Sequence, residues 1–204
     1  VSARVVIVDS GGANTASLRF ALERLAASPV LTADARTIGA ATHVILPGVG
    51  AAGDSMSRLR ARGLDTLMAR LTQPVLGICL GMQLLYQASE EGASDAGDVQ
   101  CLGAIPGKAR RLSPAPGRPV PHMGWNQLRH ASGTPLLAGV GDGARAYFVH
   151  SYALPVGRET VARTEYGEEL SAVVAHGNFF GTQFHPERSA ETGAAILQNF
   201  LRLD

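Results

Sequence analysis

Cys79, His185 and Glu187 are the residues whose types and settings suit covalent acyl-transfer chemistry. Cys79 is the centre of Gly77-Ile78-Cys79-Leu80-Gly81, a Gly-x-Cys-x-Gly frame between the apolar run Pro74 to Ile78 and a helix-forming run. A nucleophile on so sharp a strand-to-helix turn takes a strained backbone conformation, and small residues two positions to either side keep it free of clashes. At the start of a helix the thiol meets the positive end of the dipole and unpaired N–H groups, which favour the thiolate. The N–H of Leu80 is then placed to stabilise a tetrahedral oxyanion. A lone cysteine beside glycines is ordinarily a packed core residue. The frame and its strand–helix junction set Cys79 apart.

Phe184-His185-Pro186-Glu187 ends a predicted strand. Residues two apart in extended backbone project to one side, so His185 and Glu187 share a face, with Pro186 fixing the local geometry. Such a dyad generates a thiolate: the imidazole takes the proton while the carboxylate on its other nitrogen sets the tautomer and steadies the imidazolium. His43, His122, His130 and His176 have no comparable setting and read as ordinary structural or surface residues. Pro47-Gly48-Val49-Gly50 follows another predicted strand, and its glycines let the backbone approach a ligand, so Val49 or Gly50 is a candidate second oxyanion donor. By itself this segment is more often just a turn.

The elements that must position these groups alternate in type. Strand-like Arg4 to Val8, His43 to Leu46 and Pro74 to Ile78 take turns with helical Thr15 to Ala26, Asp54 to Arg70 and Leu80 to Ala88. Strand and helix in alternation indicate an α/β fold, a doubly wound, mostly parallel central sheet with helices on both faces. From Ile105 the prolines Pro106, Pro114, Pro116, Pro119 and Pro121 exclude a long helix. Added antiparallel strands are expected in this half: Lys108 to Leu112, Arg145 to His150, Thr160 to Thr164, and Ala172 to Ala175 paired with Phe179 to Phe184 through His176-Gly177-Asn178. A helix carrying Ile196, Leu197, Phe200 and Leu201 closes the chain.

A length of 204 residues with 46% apolar content fits one domain over 1–204. The net charge of +1, from 18 basic and 17 acidic residues, gives no field for nucleic acid or an anionic membrane. Lys108, Arg110, Arg111 and Arg118 lack interleaved aromatics and read as a solvated loop. The start of the chain runs directly into Val5 to Val8 without a signal-peptide pattern, and with only Cys79 and Cys101 this leads to an expectation of free thiols and a cytoplasmic location.

Nothing in the spacing shows that Cys79 and His185 meet; a resemblance supplies that link. The run Gly77 to Gln83 with the late His185-Pro186-Glu187 resembles the class I, or triad, glutamine amidotransferases. The resemblance implies a Cys-His-Glu triad on a doubly wound domain, hydrolysis of the glutamine side-chain amide, transfer of the ammonia to another protein, and no need for a metal or organic cofactor. Further blocks are similar to the glutaminase subunits of imidazole glycerol phosphate synthase: Asp9-Ser10-Gly11-Gly12-Ala13-Asn14 with Ser17, Leu46 to Gly50, Pro121 to Asn126, Tyr147 to Tyr152, and Gln183 to Ser189. They imply a histidine-biosynthesis heterodimer with a (β/α)8-barrel cyclase that consumes the ammonia. They also imply glutamine bound between Gln83, Glu91, Ser151 and Tyr152, with Glu91 or its neighbour Glu90 on the α-ammonium and the backbone of Ser151 and Tyr152 on the carboxylate. Trp125 and Arg188 fall at the implied partner interface, the plain alternative for Trp125 being a core aromatic. Ser10 and Ala13 depart from the family pattern and bear only on the first loop. A triad glutaminase serving a pyridoxal phosphate or anthranilate synthase, or a non-catalytic glutamine-binding regulatory subunit, are the other readings.

Overall fold

The structure is a computed structural model describing residues 4–11, 15–94, 97–131 and 133–204. The run Val5-Val6-Ile7-Val8 forms the first strand, β1, with all four side chains buried. Alternate residues feed opposite cores, as strand geometry requires. Val5 and Ile7 pack in one cluster with Leu18, Leu22, Ile196 and Phe200. Val6 and Val8 join a second with Ile38, Met56, Leu59 and Met68. Helices therefore cover both faces, which explains why these strands read as unbroken apolar runs.

The first half continues as α1 (Ala16–Arg24), β2 (Val30–Thr32), α2 (Ala35–Gly39), β3 (His43–Gly48), α3 (Ala52–Ala61), α4 (Leu64–Met68), β4 (Val75–Cys79) and α5 (Leu80–Leu84). There follow β5 (Tyr86–Ser94), β6 (Gly97–Gln100), β7 (Ile105–Arg111), β8 (His122–Gln127), β9 (Arg129–His130), β10 (Arg145–His150) and β11 (Tyr152–Ala153). The last elements are β12 (Thr160–Glu165), β13 (Glu169–His176), β14 (Phe179–Thr182) and α6 (Ala190–Phe200).

The central sheet runs β2-β1-β3-β4-β14-β13-β12-β9. Its first five strands are mutually parallel, and β14, β13, β12 and β9 continue antiparallel. This is the expected mostly parallel α/β sheet with antiparallel strands added from the second half. Parallel pairing sets Gly48 opposite Cys79 and Thr182 opposite Ile78, so the loops leaving β3, β4 and β14 emerge at one edge. A smaller sheet β11-β7-β5-β6 and the ribbon β10-β8 complete the described residues.

Several expectations are corrected. The helix expected over Leu80 to Ala88 ends at Leu84, because Tyr86 onward is drawn into pairing with both β6 and β7. The helix expected over Asp54 to Arg70 is two, divided at Gly63, whose backbone is left-handed. The strand expected from Lys108 starts at Ile105, with Pro106 and Gly107 in an irregularity of the β5 pairing. The strand expected to Phe184 stops at Thr182. Short β2 and α2 and the strand β8 were not anticipated.

Close backbone contact holds β3, β4 and α5 together. A Cβ on Gly81 would sit 1.8 Å from the Leu46 carbonyl oxygen, and one on Gly77 would sit 2.6 Å from that of Gly81. Both neighbours are backbone and have no way to yield cheaply. Gly81→Ala is expected to cost about 3 kcal/mol or more by chemical denaturation, beyond ordinary overpacking. Gly39→Ala, where a Cβ meets nothing within 4 Å, is expected to be neutral or stabilising by up to about 1 kcal/mol.

Candidate active site

Cys79 ends β4 with φ 53° and ψ −110°, a conformation that non-glycine residues rarely adopt. The elbow anticipated from the glycine frame is thus present. The α5 it opens is only five residues long, so the dipole expected there contributes little, and the unpaired N–H groups of its first turn are what remain for an anion. Cys79 is 8% exposed, and its sulfur lies 3.7 Å from the Val149 carbonyl oxygen and 3.8 Å from Nε2 of Gln183.

His185 and Glu187 do meet, by a route different from the one expected. His185 is extended, but Glu187 lies in the 3-10 turn Pro186–Arg188. The turn still brings Glu187 Oε1 to 2.9 Å from Nδ1 of His185. Ser189, fully buried, anchors the turn by donating to the His185 carbonyl at 2.7 Å and accepting the Tyr147 N–H at 2.9 Å. The His185 N–H donates to the Tyr147 carbonyl at 3.0 Å, tying the segment to β10. Burial alone would pull the imidazole pKa down. Hydrogen bonds and charge from Cys79 and Glu187 outweigh it and push the value up to about 10. With Nδ1 on the carboxylate, Nε2 is the nitrogen left for the sulfur.

These groups open on a cleft of about 320 Å³ lined by Cys79, Leu80, Val49, Gly50, Gln83, Glu91, Ser151, Tyr152 and His185. Glu187 stands behind the imidazole. Every residue that sequence reasoning assigned to the oxyanion or to substrate contact therefore borders one cavity. Gly50 has φ +85° and Val49 is 40% exposed at the cleft mouth. Gln83 donates through Nε2 to the Tyr152 carbonyl at 2.8 Å, and its buried Oε1 has no partner among the described residues. Glu90 and Glu91 are consecutive on β5 and meet different surroundings. Glu90 pairs outward with Lys108 at 3.0 Å and accepts the Arg111 N–H, which hold its carboxyl below the usual range. Glu91 faces the cleft, where burial raises its pKa against a hydrogen bond from the Ala52 backbone.

Trp125 and Arg188 lie on the surface. Trp125 is 49% exposed beside the 62% exposed Met123 on β8, and is not a core aromatic. In the first loop, Arg58 donates to the Ser10 carbonyl at 2.9 Å; Gly12, Ala13 and Asn14 lie outside the described residues.

Sequence reasoning missed a buried polar chain. His122, read as ordinary, is 2.9 Å through Nδ1 from Nε2 of His150, and Nδ1 of His150 is 2.9 Å from the Tyr152 carbonyl. Burial pulls His122 to about 4; burial, the His122 and His185 charges and a backbone hydrogen bond together leave His150 at about 3. Both sit on opposed β8 and β10, His150 directly across from His122. The strand alternation of Pro121 to Asn126 was the available signal.

The proton held by His185 makes stability depend on pH. Because its folded pKa is raised from 6.5 to about 10, its contribution is complete below 6.5 and lost as pH rises through about 10. Urea titrations of the wild type are expected to show a larger loss of stability between those limits than titrations of His185→Gln. Equal losses would contradict the ion-paired imidazole.

The profile of the class I glutamine amidotransferases covers residues 6–203. An imidazole glycerol phosphate synthase subunit HisH of Xylella fastidiosa strain Temecula1 is 54% identical over 200 residues, 98% of each chain. One of Xanthomonas axonopodis pv. citri is 54% identical over 199 residues, 98% of this chain and 97% of its own. Among solved structures, a glutamine amidotransferase superposes with a TM-score of 0.74 at 18% identity, over 97% of this chain and 96% of its own. Another, from Thermotoga maritima, gives 0.64 at 19% identity over 94% and 79%. The sequence motifs, the elbow fold and these relatives place the chain in the class I glutamine amidotransferase family, in its branch of imidazole glycerol phosphate synthase glutaminase subunits.

Proposed function

We propose that the chain, acting as one domain over 1–204, hydrolyses glutamine through a γ-glutamyl thioester on Cys79 and delivers ammonia to a cyclase subunit that forms imidazole glycerol phosphate. The observation that carries this reading is the convergence, in one cleft, of the Cys79 elbow with an imidazole bonded to Glu187 and raised in pKa by both neighbours. The Cys79 thiolate attacks the side-chain amide carbon, and the oxyanion rests on the Leu80 N–H and a donor from Val49 or Gly50. The His185 imidazolium passes its proton to the departing nitrogen, which leaves as ammonia. Neutral His185 then takes a proton from water as the oxygen attacks the thioester, and glutamate and thiolate are released.

Glu91, with its carboxylate in the cleft, takes the substrate α-ammonium, and the backbone of Ser151 and Tyr152 takes the α-carboxylate. The unpartnered Oε1 of Gln83 suits an N–H donor of the substrate. A (β/α)8-barrel cyclase is the partner, docking on surfaces that include exposed Trp125 and Arg188. The setting is the reducing cytoplasm, in keeping with two free cysteines; no described helix is long and apolar enough to cross a membrane.

Cys79→Ser is expected to fold, to lose glutamine-dependent synthesis in the complex, and to keep synthesis supported by added ammonia. Loss of both would place the thiol elsewhere in the mechanism. Cys101→Ser is expected to be silent in the same assays. Glu187→Gln is expected to lower kcat by roughly 10²- to 10⁴-fold, the range for general acid–base effects.

Glutamine hydrolysis with no acceptor wastes the amide, and the loop carrying Gly50 offers a means of restraint. Only one orientation of its peptide aims an N–H at the oxyanion, and a missing donor costs about 2.7–4 kcal/mol in the transition state. The isolated chain is therefore expected to bind glutamine but to turn it over at least about a hundredfold more slowly than the complex. Gly50→Val, strained at φ +85°, is expected to impair activation more than binding, as read by steady-state kinetics with and without the cyclase. Full activity from the isolated chain would contradict this restraint.

A further inference from the structure

Gln183 has no part in the triad, yet it is fully buried against the sulfur. Its Nε2 is 3.8 Å from Cys79 Sγ and its Oε1 is 3.0 Å from Nε2 of Gln83. The two ends of a glutamine amide are told apart only by what they meet, and here the surroundings allow one answer. The Tyr152 carbonyl can only accept, so the Gln83 atom 2.8 Å from it is the nitrogen. That same nitrogen faces Gln183, which must present its oxygen, and this turns the Gln183 NH₂ toward the sulfur.

The carbonyl that sets this order is itself held from the other side. It accepts from Nδ1 of His150, which leaves Nε2 of His150 to accept from Nδ1 of His122. Nε2 of His122 accepts in turn from Asn126 at 3.2 Å, and Asn126 gives its other hydrogen to the Glu165 carbonyl at 2.8 Å. Protonating either imidazole would set two donors face to face. Their depressed pKa values keep the chain in one arrangement at neutral pH.

We propose that Gln183 is an additional hydrogen-bond donor to the Cys79 sulfur, aimed by the Tyr152 carbonyl through Gln83 and favouring the thiolate over the thiol. This rests on the reading of Cys79 as nucleophile. A thiol needs no second donor, whereas a thiolate gains from each N–H that reaches it. The titratable groups around the sulfur are His185, Glu187 behind it, and Glu91, His150 and Tyr152 around the cleft. Gln183 does not titrate, so its contribution persists across the pH range in which those groups change charge.

The test is the rate of Cys79 alkylation by iodoacetamide against pH, with Cys101→Ser as the parent chain. Gln183→Glu keeps the shape and replaces the donor by an acceptor; Gln183→Met removes the donor at similar volume. Both are expected to move the alkylation midpoint up by about one pH unit, which means about tenfold less reactive sulfur at pH values below the parent's midpoint. In the complex kcat is expected to fall with KM within about threefold, since the donor acts on the sulfur and not on ground-state binding. A profile that coincides with the parent's in both variants would overturn the proposal. A readout needing neither variant is the Gln183 side-chain amide in NMR spectra of the wild type, expected to titrate with Cys79 and to shift on alkylation; an unresponsive amide would equally overturn it. Failure of the parent reading looks different: Cys79→Ser would keep glutaminase activity whatever Gln183 does.

Discussion

The closeness of the first turn of α5 to the end of β3 is the constraint on which the site depends. With hydrogen alone at Gly81 the helix start rests on the Leu46 carbonyl, and with hydrogen alone at Gly77 the strand passes beneath the same turn. Gly181 of β14 makes room for Met82 in the same way, a Cβ there falling 2.6 Å from its Cγ. Three parallel strands are thereby locked against one short helix. Cys79 is held at a positive φ that an isolated chain would abandon, and the surrounding close packing over-determines it. The loops after β3 and β14 are brought to the sulfur by the same contacts, because their strands cannot slide without opening them.

Around that rigid point the electrostatics divide into two kinds. On one side, His185 is buried beside Glu187 and the sulfur, and attraction overcomes desolvation so that it holds a proton. On the other, His122 and His150 are buried against each other with no carboxylate beside them; desolvation prevails, the His185 charge further disfavours a proton on His150, and both stay uncharged. The same residue type serves as charged partner in one setting and as a directional neutral link in the other. The difference is the pair of acidic partners, Cys79 and Glu187, that only His185 has.

Much of this was legible in the sequence. The glycine frame announced the elbow because close packing leaves few substitutes for glycine, and Arg145 to His150 read as a strand and is one. The pairing of His185 with Glu187 was legible, although the 3-10 turn that achieves it was not, since Pro186 is compatible with either path. What local patterns left open depends on partners distant in the chain. The strand from Tyr86 overrides a helix-compatible run only because β6 and β7 flank it. That pairing also decides that Glu91 and not Glu90 meets the cleft. Gln183, Gln83, His150 and His122 come from separate elements, and no spacing rule connects them.

The central claim is that the strained cysteine at this elbow carries the substrate acyl group. The most direct measurement is acid quench of the complex during turnover of isotopically labelled glutamine, followed by mass mapping of the peptides. The expected result is one labelled γ-glutamyl group on the peptide containing Cys79, absent from Cys79→Ser. Label on another residue, or steady hydrolysis by a protein lacking the Cys79 thiol, would contradict the account.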